Sequence, residues 1–356
     1  MTTIESRRSS TPTNDAHRME VVDDMLGAAR AVVAPKLRTA IDALPQRIGR
    51  IVAYHLGWAE LDGGEREGEG SWGKGIRSAL VLACAEAVGG DALAAVPAAV
   101  ATELMHNASL IHDDIIDGDD LRRHQLAVWA AYGSPAAILA GDSLLVASIQ
   151  ALLRSSPQHA LDGLEVLTAA GQQLIEGEQA DVTLETFRFV SVNEVLTMIE
   201  GKTAALLKCA CVLGAVYGGS TEDRVDALGR FGRDLGMAFQ GIDDLLGIWG
   251  SDATGKPVLS DIWRRKKSLP VVVALQAGTP ASAELAAIYD ADDPLSDAQV
   301  QRAAELIEKT GARGWVRDYA NEQIASALTH LDRAHPTAHG RDQLTAIARR
   351  VVERNT

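Results

Sequence analysis

The stretch Glu103-Leu-Met-His106-Asn-Ala-Ser-Leu-Ile-His-Asp113-Asp114-Ile-Ile-Asp117 sets the reading of the whole chain. Its apolar residues recur at three- and four-residue spacing, the period of a helix with one buried face. Asp113 and Asp117 are i and i+4, so their carboxylates lie on one side of that helix. Like charges one turn apart cost a helix about 0.2–0.5 kcal/mol, and no Lys or Arg stands at i±4 to offset them. Because the pair follows an apolar run, its face is expected to point inward. Two inward carboxylates suit a hard divalent cation such as Mg²⁺, which commonly adds ligand phosphates to one or two protein carboxylates. Taken alone, the motif also fits a solvated acidic helix end.

Working outward, the same periodicity covers Ile76 to Val88, Leu93 to Asp117, Ala136 to Leu153, Leu161 to Asp181, Val192 to Tyr217, Asp223 to Leu246 and Asp297 to Ala334. Short Gly, Pro or Asp punctuation separates these runs, hairpin signals are scarce, and no repeat or low-complexity linker divides the chain. Residues 1–18 are Ser/Thr/Arg-rich and read as a disordered tail. The expectation is an all-α single domain over residues 19–356, a bundle of ten or more helices around a central cavity. Composition agrees, since 47% of the 356 residues are hydrophobic but only 4% aromatic, leaving mostly Ala, Leu, Val and Ile. A net charge of −14 disfavours nucleic acid or an anionic membrane surface as the main partner. Three cysteines cannot frame a disulfide scaffold, and Cys209 and Cys211 sit in an apolar helical run where core packing is the default. Glu5, Arg7, Arg8 and Asp15 interrupt any leader-like run, and the longest uncharged stretch, His124 to Gly141, is a poor membrane span. A soluble cytoplasmic protein is expected.

A second cluster, Gln240-Gly-Ile-Asp243-Asp244-Leu-Leu-Gly247, repeats the pattern of paired aspartates after an apolar helical run. Two helices ending in Asp pairs let two carboxylate sets flank one cavity around a polyphosphate. Cations lie close in sequence: Lys74 and Arg77 upstream, Arg122 and Arg123 after the first cluster, Lys202 beside Thr203, and Lys256, Arg264, Arg265, Lys266 and Lys267 after the second. Lys supplies a point charge for phosphate and Arg a planar fork. His106 is a heptad before Asp113, on the same face and about 10.5 Å away along the axis. No GxxxxGK[ST] loop, G-x-S-x-G elbow or HExxH motif appears.

From Lys74 to Pro270, in order, these residues resemble the trans-isoprenyl diphosphate synthases, or polyprenyl synthetase family. The resemblance rests on Gly73-Lys74-Gly-Ile-Arg77, Glu103-Leu-Met-His106, Asp113-Asp114-Ile-Ile-Asp117, Leu121-Arg122-Arg123, Gly141-Asp142, Lys202-Thr203-Ala204, Phe239-Gln240-Gly-Ile-Asp243-Asp244, Gly255-Lys256-Pro257 and Lys266-Lys267-Ser268-Leu-Pro270. It implies an all-α fold of isoprenoid synthase type, a homodimer, and the joining of isopentenyl diphosphate to an allylic diphosphate. On that resemblance Asp113, Asp117 and Asp243 hold three Mg²⁺ ions, with Asp114 and Asp244 supporting. Arg122, Lys202 and Lys256 neutralise the allylic diphosphate, Gln240, Thr203 and Lys266 complete that side, and Lys74, Arg77, His106 and Arg123 bind isopentenyl diphosphate.

Three positions depart from the family pattern. Gly247 stands where the second motif usually ends in Asp, Gly75 replaces a common basic residue, and Gly177-Glu178-Gln179-Ala-Asp181 lacks the usual Gly-Gln start. Ala108 and Ser109, about one turn before Asp113, are small where the family's C15 enzymes carry aromatic residues, so a C20 product, geranylgeranyl diphosphate, is expected. Met105, the next residue along that face, is a candidate for what stops the chain. A terpene cyclase on the same scaffold is the rival that Gly247 keeps alive. It has no use for the second-substrate set Lys74, Arg77, His106 and Arg123. A non-catalytic partner subunit of a synthase is the other alternative, disfavoured by the intact first motif and basic set.

Overall fold

The computed structural model describes residues 13–66, 70, 72–250, 259–291 and 293–353, with side chains from residue 22. Its elements are α1 (Thr13–Asp42), α2 (Gln46–His55), α3 (Ile76–Ala87), α4 (Val96–Ile116), the two-residue strands β1 (Leu121–Arg122) and β2 (Gln125–Leu126), α5 (Val128–Tyr132), α6 (Ser134–Leu153) and α7 (Pro157–Thr186). There follow α8 (Val192–Ile199), α9 (Ala205–Tyr217), α10 (Glu222–Trp249), α11 (Ser260–Trp263), α12 (Leu269–Leu275), α13 (Pro280–Tyr289), α14 (Asp297–Lys309), α15 (Ala312–Arg333) and α16 (Ala338–Val352). The all-α class expected from periodicity is the fold observed.

Helix ends follow local chemistry. Pro occupies the first turn of α4, α6, α7, α12 and α13, where a missing N–H costs nothing. Ser191 with Glu194, and Ser296 with Gln299, close reciprocal capping boxes on α8 and α14. The centre is α9, buried nearly all round from Ala205 to Tyr217 and packed against α3, α7 and α10. Helix α4 lies along α6, and α10 along α15. A smaller core of Ile248, Val271, Leu285, Val300 and Leu306 joins the end of α10 to α12–α14.

Several boundaries differ from the expectation. Residues 13–18 are already helical in α1 and so do not belong to a tail; residues 1–12 lie outside the described residues. The run from Asp297 to Ala334 is two helices, because Gly311 turns left-handed at φ +80° and starts α15 anew. The run from Val192 to Tyr217 is one rod interrupted by a π-helical turn over Glu200–Ala204. The β1–β2 hairpin is a further addition. Its register pairs Arg122 with Gln125, and both tip residues, Arg123 and His124, have positive φ (54° and 65°), the backbone of a two-residue I′-type turn. The Tyr54 hydroxyl donates to the Leu126 carbonyl at 2.9 Å, and Gln125 Nε2 donates to the Tyr54 carbonyl at 3.0 Å, fastening the hairpin to α2.

By length and composition α6 could cross a membrane. In the fold its inner face lies along α4 and its outer face shows Ile138, Leu139, Val146 and Leu153.

Candidate active site

The last turn of α4 delivers Asp113, Asp114 and, at its C-cap, Asp117. The final third of α7 delivers Glu178, Asp181 and Glu185, spaced i, i+3 and i+7 on one face. A Cβ on Gly177 would lie 2.1 Å from the Lys202 amide nitrogen, so α7 meets the π-helical turn backbone against backbone. That turn is where Lys202 and Thr203 project, an irregularity common at functional sites. Carboxylate oxygens of Asp113, Asp117 and Glu178 all come within 4.8 Å of one another. Lys202 Nζ sits among them at 2.9 Å from Asp113, 2.8 Å from Glu178 and 2.7 Å from Asp181.

The electrostatics follow from this crowding. Burial raises Asp113, but Lys202 and Arg122 more than reverse it and hold the carboxyl below its usual range. Burial, with Asp113's charge, raises Asp117. Burial pushes Glu178 up to about 7 despite Lys202, with Asp113 adding to the rise. The Lys202 ammonium is held charged by Asp113, Asp181 and Glu178 against its own burial. Glu178 Oε1 is buried without a hydrogen-bond partner among the described residues. Hard oxygen donors at this spacing, with buried valence to spare, fit a divalent cation such as Mg²⁺.

A short relay ties the π-helical turn that carries Lys202 to the second acidic motif. The Thr203 hydroxyl donates to Gln240 Oε1 at 2.7 Å, and Gln240 Nε2 donates to Asp244 Oδ1 at 2.7 Å. The Leu269 amide donates to Asp244 Oδ2 at 2.9 Å. Both ends of Gln240 are therefore engaged within the protein. Lys266, 3.6 Å from Asp181, is also drawn on by Asp117 and Asp261, and Arg264 pairs with Asp119. The second residue of each Asp pair is turned away from the open cluster. Arg122 Nε reaches Asp114 at 2.8 Å, with Asp113 at 3.5 Å from its Nη2, while Asp244 is buried in the relay. Asp243 is half-buried on α10. Lys256 lies outside the described residues.

Gly247 has a direct structural reason. A Cβ there would fall 2.4 Å from Asp261 Oδ2, so Asp261, buried on α11, fills the space a residue-247 side chain would take. Gly75, at φ +66° before α3, is likewise crowded by a side chain from elsewhere: its Cβ would lie 2.8 Å from Arg30 Cγ on α1. Neither neighbour could be read from sequence, since each is distant along the chain.

A second basic group surrounds His106. Arg123 Nη2 approaches Gly73, at 3.3 Å from where its Cβ would be, and burial lowers Arg77 and Arg123 to about 10 each. Burial and the charges of Arg77 and Arg123 keep His106 neutral. Glu103 lies in the field of Arg77 and accepts from the Ser78 amide at 3.0 Å. Lys74 is exposed at the rim. Below Asp113, Ala108 is wholly buried, and half-buried Ser109 donates to the His106 carbonyl at 2.8 Å. One turn lower, Met105 Cε stands 3.2 Å from where a Cβ on Gly171 would be.

The arrangement presents a carboxylate cluster opposite lysines, with a second cationic pocket alongside. A family model described as polyprenyl synthetase matches residues 69–307. The chain belongs to the polyprenyl synthetase family. It is 40% identical over 334 residues to a (2E,6E)-farnesyl diphosphate synthase of Mycobacterium tuberculosis, covering 93% of this chain and 92% of that one. It is 39% identical over 332 residues to a geranylgeranyl diphosphate synthase of the same organism, covering 93% of each. The crystal structure of a polyprenyl synthetase from Streptomyces coelicolor A3(2) superposes with a TM-score of 0.88 at 43% identity, covering 93% of this chain and 99% of that one. Within this family fold, Glu178 and Asp181 are the site residues that reading the Asp pairs alone did not assign. Their signal in the sequence was the acidic i, i+3, i+7 face of α7.

Proposed function

We propose that this polyprenyl synthetase is a Mg²⁺-dependent trans-prenyltransferase that joins isopentenyl diphosphate head to tail to an allylic diphosphate and stops at C20, geranylgeranyl diphosphate. The observation that carries the reading is the cluster of Asp113, Asp117 and Glu178 around the Lys202 ammonium, with the basic pocket of Arg77, Arg123 and His106 beside it. We assign one diphosphate to each region.

Asp113 and Asp117, with Asp243 from α10, would hold the cations, three in our reading. Mg²⁺ held there would neutralise a diphosphate leaving group and steady its departure. Lys202 and Lys266, kept charged by the carboxylates around them, add fixed positive charge where the allylic C–O bond breaks. Arg122 orients Asp114 and lies within reach of Asp113, so it links the metal residues to the hairpin that carries Arg123. Arg77, Arg123 and the exposed Lys74 would anchor the isopentenyl diphosphate so that its double bond attacks the allylic carbon. The neutral imidazole of His106 can donate a hydrogen bond there without adding charge. The departing diphosphate is the base we assign to the final proton, and relay residues Thr203 and Gln240 hold the second motif in register with the first.

Small side chains at Ala108 and Ser109 support growth past C15, and Met105 against Gly171 narrows the space one turn further down. The apolar stripe of Ile138, Leu139, Val146 and Leu153 on α6, continued by Leu161, Ile175 and Val182 on α7, supports a homodimer through that face. We place the enzyme in the cytoplasm, with its charged, membrane-impermeant substrates.

The test is purified protein with Mg²⁺, farnesyl diphosphate and labelled isopentenyl diphosphate. Geranylgeranyl diphosphate is the expected product. A hydrocarbon made from the allylic substrate alone would replace this reading with a cyclase, and no turnover would replace it with a partner subunit.

A further inference from the structure

We propose that Glu178 is a third carboxylate for the divalent cation at the first acidic motif, and that it shares this place with the ammonium of Lys202. The inference rests on the prenyltransferase reading and deepens its metal site.

The geometry comes from one close approach. Gly177 has no room for a Cβ, which would lie 2.1 Å from Lys202 N and 2.5 Å from the Gly201 carbonyl carbon. The backbone of α7 is therefore pinned to the π-helical turn, and Glu178, the next residue, cannot withdraw. A carboxylate oxygen of Glu178 comes within 4.8 Å of a carboxylate oxygen on each of Asp113 and Asp117. Of its two oxygens, Oε2 meets Lys202 at 2.8 Å. The other, Oε1, is buried with no hydrogen-bond partner among the described residues, leaving an acceptor unused. Burying a bare carboxylate oxygen is costly unless something positive shares the space.

Three carboxylates contact the Lys202 ammonium and Asp117 adds a fourth close by, so even with Lys266 beside Asp181 and Arg122 beside Asp113 the carboxylates outnumber the cations. An amide at position 178, as in the usual Gly-Gln start, could accept from Lys202 but would bring no charge. A carboxylate brings the charge and a hard donor oxygen, and cation affinity scales with ligand charge count. A purely structural role is the competing account: Glu178 would only steady Lys202, and its loss would leave metal binding unchanged or improve it by freeing Asp113.

Free Mn²⁺ measured by electron paramagnetic resonance, titrated into the full chain with and without inorganic diphosphate, separates the two. Glu178→Gln is expected to weaken Mn²⁺ binding by about tenfold or more, with an unchanged circular dichroism spectrum and Tm. Glu178→Asp, which keeps the charge, is expected to fall between the two. Glu176→Gln, an exposed acid on the same helix, is expected to bind as the wild type does. Unchanged or tighter binding by Glu178→Gln overturns the proposal. So does a Glu178→Asp no better than Glu178→Gln, or an equal loss in Glu176→Gln, which would mark a general field effect. Asp113→Asn is the separate control. If it loses Mn²⁺ while Glu178→Gln does not, only the role of Glu178 fails; if it binds normally, the metal-site reading fails as well.

Discussion

The two acidic motifs look alike in sequence and are built differently. The first, at the end of α4, is an open cluster in which Asp113 and Asp117 face Glu178 across a lysine. The second, inside α10, is largely interior: Asp244 is buried and bonded to Gln240 and the Leu269 amide, and Gly247 is filled by Asp261. Carboxylates meant for a ligand keep free oxygens and neighbouring cations. Carboxylates meant for architecture spend their acceptors on amides. The difference teaches that a repeated motif need not imply two equal half-sites. Here α4 and α7 carry most of the charge, and α10 carries most of the rigidity.

The largest expected effect tests the open cluster. Replacing Asp113 by Asn is expected to cut kcat by about 10²–10³-fold with Tm nearly unchanged, because the loss falls on charge stabilisation in the reacting complex. Steady-state assays with labelled isopentenyl diphosphate, beside thermal melts, check this. Equal losses of Tm and activity would mean that Asp113 is architectural too, and the contrast would collapse.

The architectural side has its own signature in pH. Burial, with Asp261's charge, raises Asp244 from 3.8 to about 7. A raised carboxyl binds its proton more tightly folded than unfolded, so its contribution is fully present below pH 3.8 and is lost as pH rises through 7. In metal-free buffer the wild type should therefore lose stability relative to Asp244→Asn between about pH 4 and 7, by a few kcal/mol in total. Chemical denaturation of both proteins across that range measures it. Parallel stability curves would show that Asp244 stays ionised in the fold.

Much of this was readable in the chain and some was not, for physical reasons. Helical class follows from spacing that any one segment displays, so α3, α4, α6, α7 and α10 appear within a few residues of their observed ends. Interruptions depend on tertiary contact. The π-helical turn exists where Gly177 and Gly201 let two backbones touch, which no local pattern encodes. The inward, clustered placement of Asp113 and Asp117 could be inferred from an uncompensated i, i+4 pair after an apolar run. Glu178 left only an acidic helix face as its signal, and what that face meets depends on which way α7 turns. Gly247 read as a departure from the motif's usual Asp when viewed along the chain; in space it is room for Asp261.

That last point predicts a smaller effect. Restoring the usual residue with Gly247→Asp should destabilise the fold by about 1–3 kcal/mol, since any side chain meets the Asp261 carboxylate and an acid adds repulsion. Gly247→Asp combined with Asp261→Gly, which moves the carboxylate from one helix to the other, should recover most of the loss, because the two sites share one volume. A native Tm in Gly247→Asp alone would show that Asp261 swings aside at little cost.

The smallest energetic change should have the clearest chemical readout. Ser109 and Ala108 both precede Asp113 by about a turn, but they differ in surroundings. Ala108 is wholly buried, so a ring there must displace core atoms, and Ala108→Phe is expected to lower Tm. Ser109 is half-buried, and its hydroxyl bonds within its own helix to the His106 carbonyl, worth about 1 kcal/mol. Ser109→Phe should therefore fold almost normally and place a ring one turn beneath the metal-facing carboxylates, blocking the space the growing chain needs. The expected outcome is a shift of the main product from C20 to C15, with turnover of the shorter allylic substrates kept. Chromatography of the dephosphorylated products reads it directly. An unchanged C20 product would put the growing chain on another face of α4 and remove Ser109 from its path.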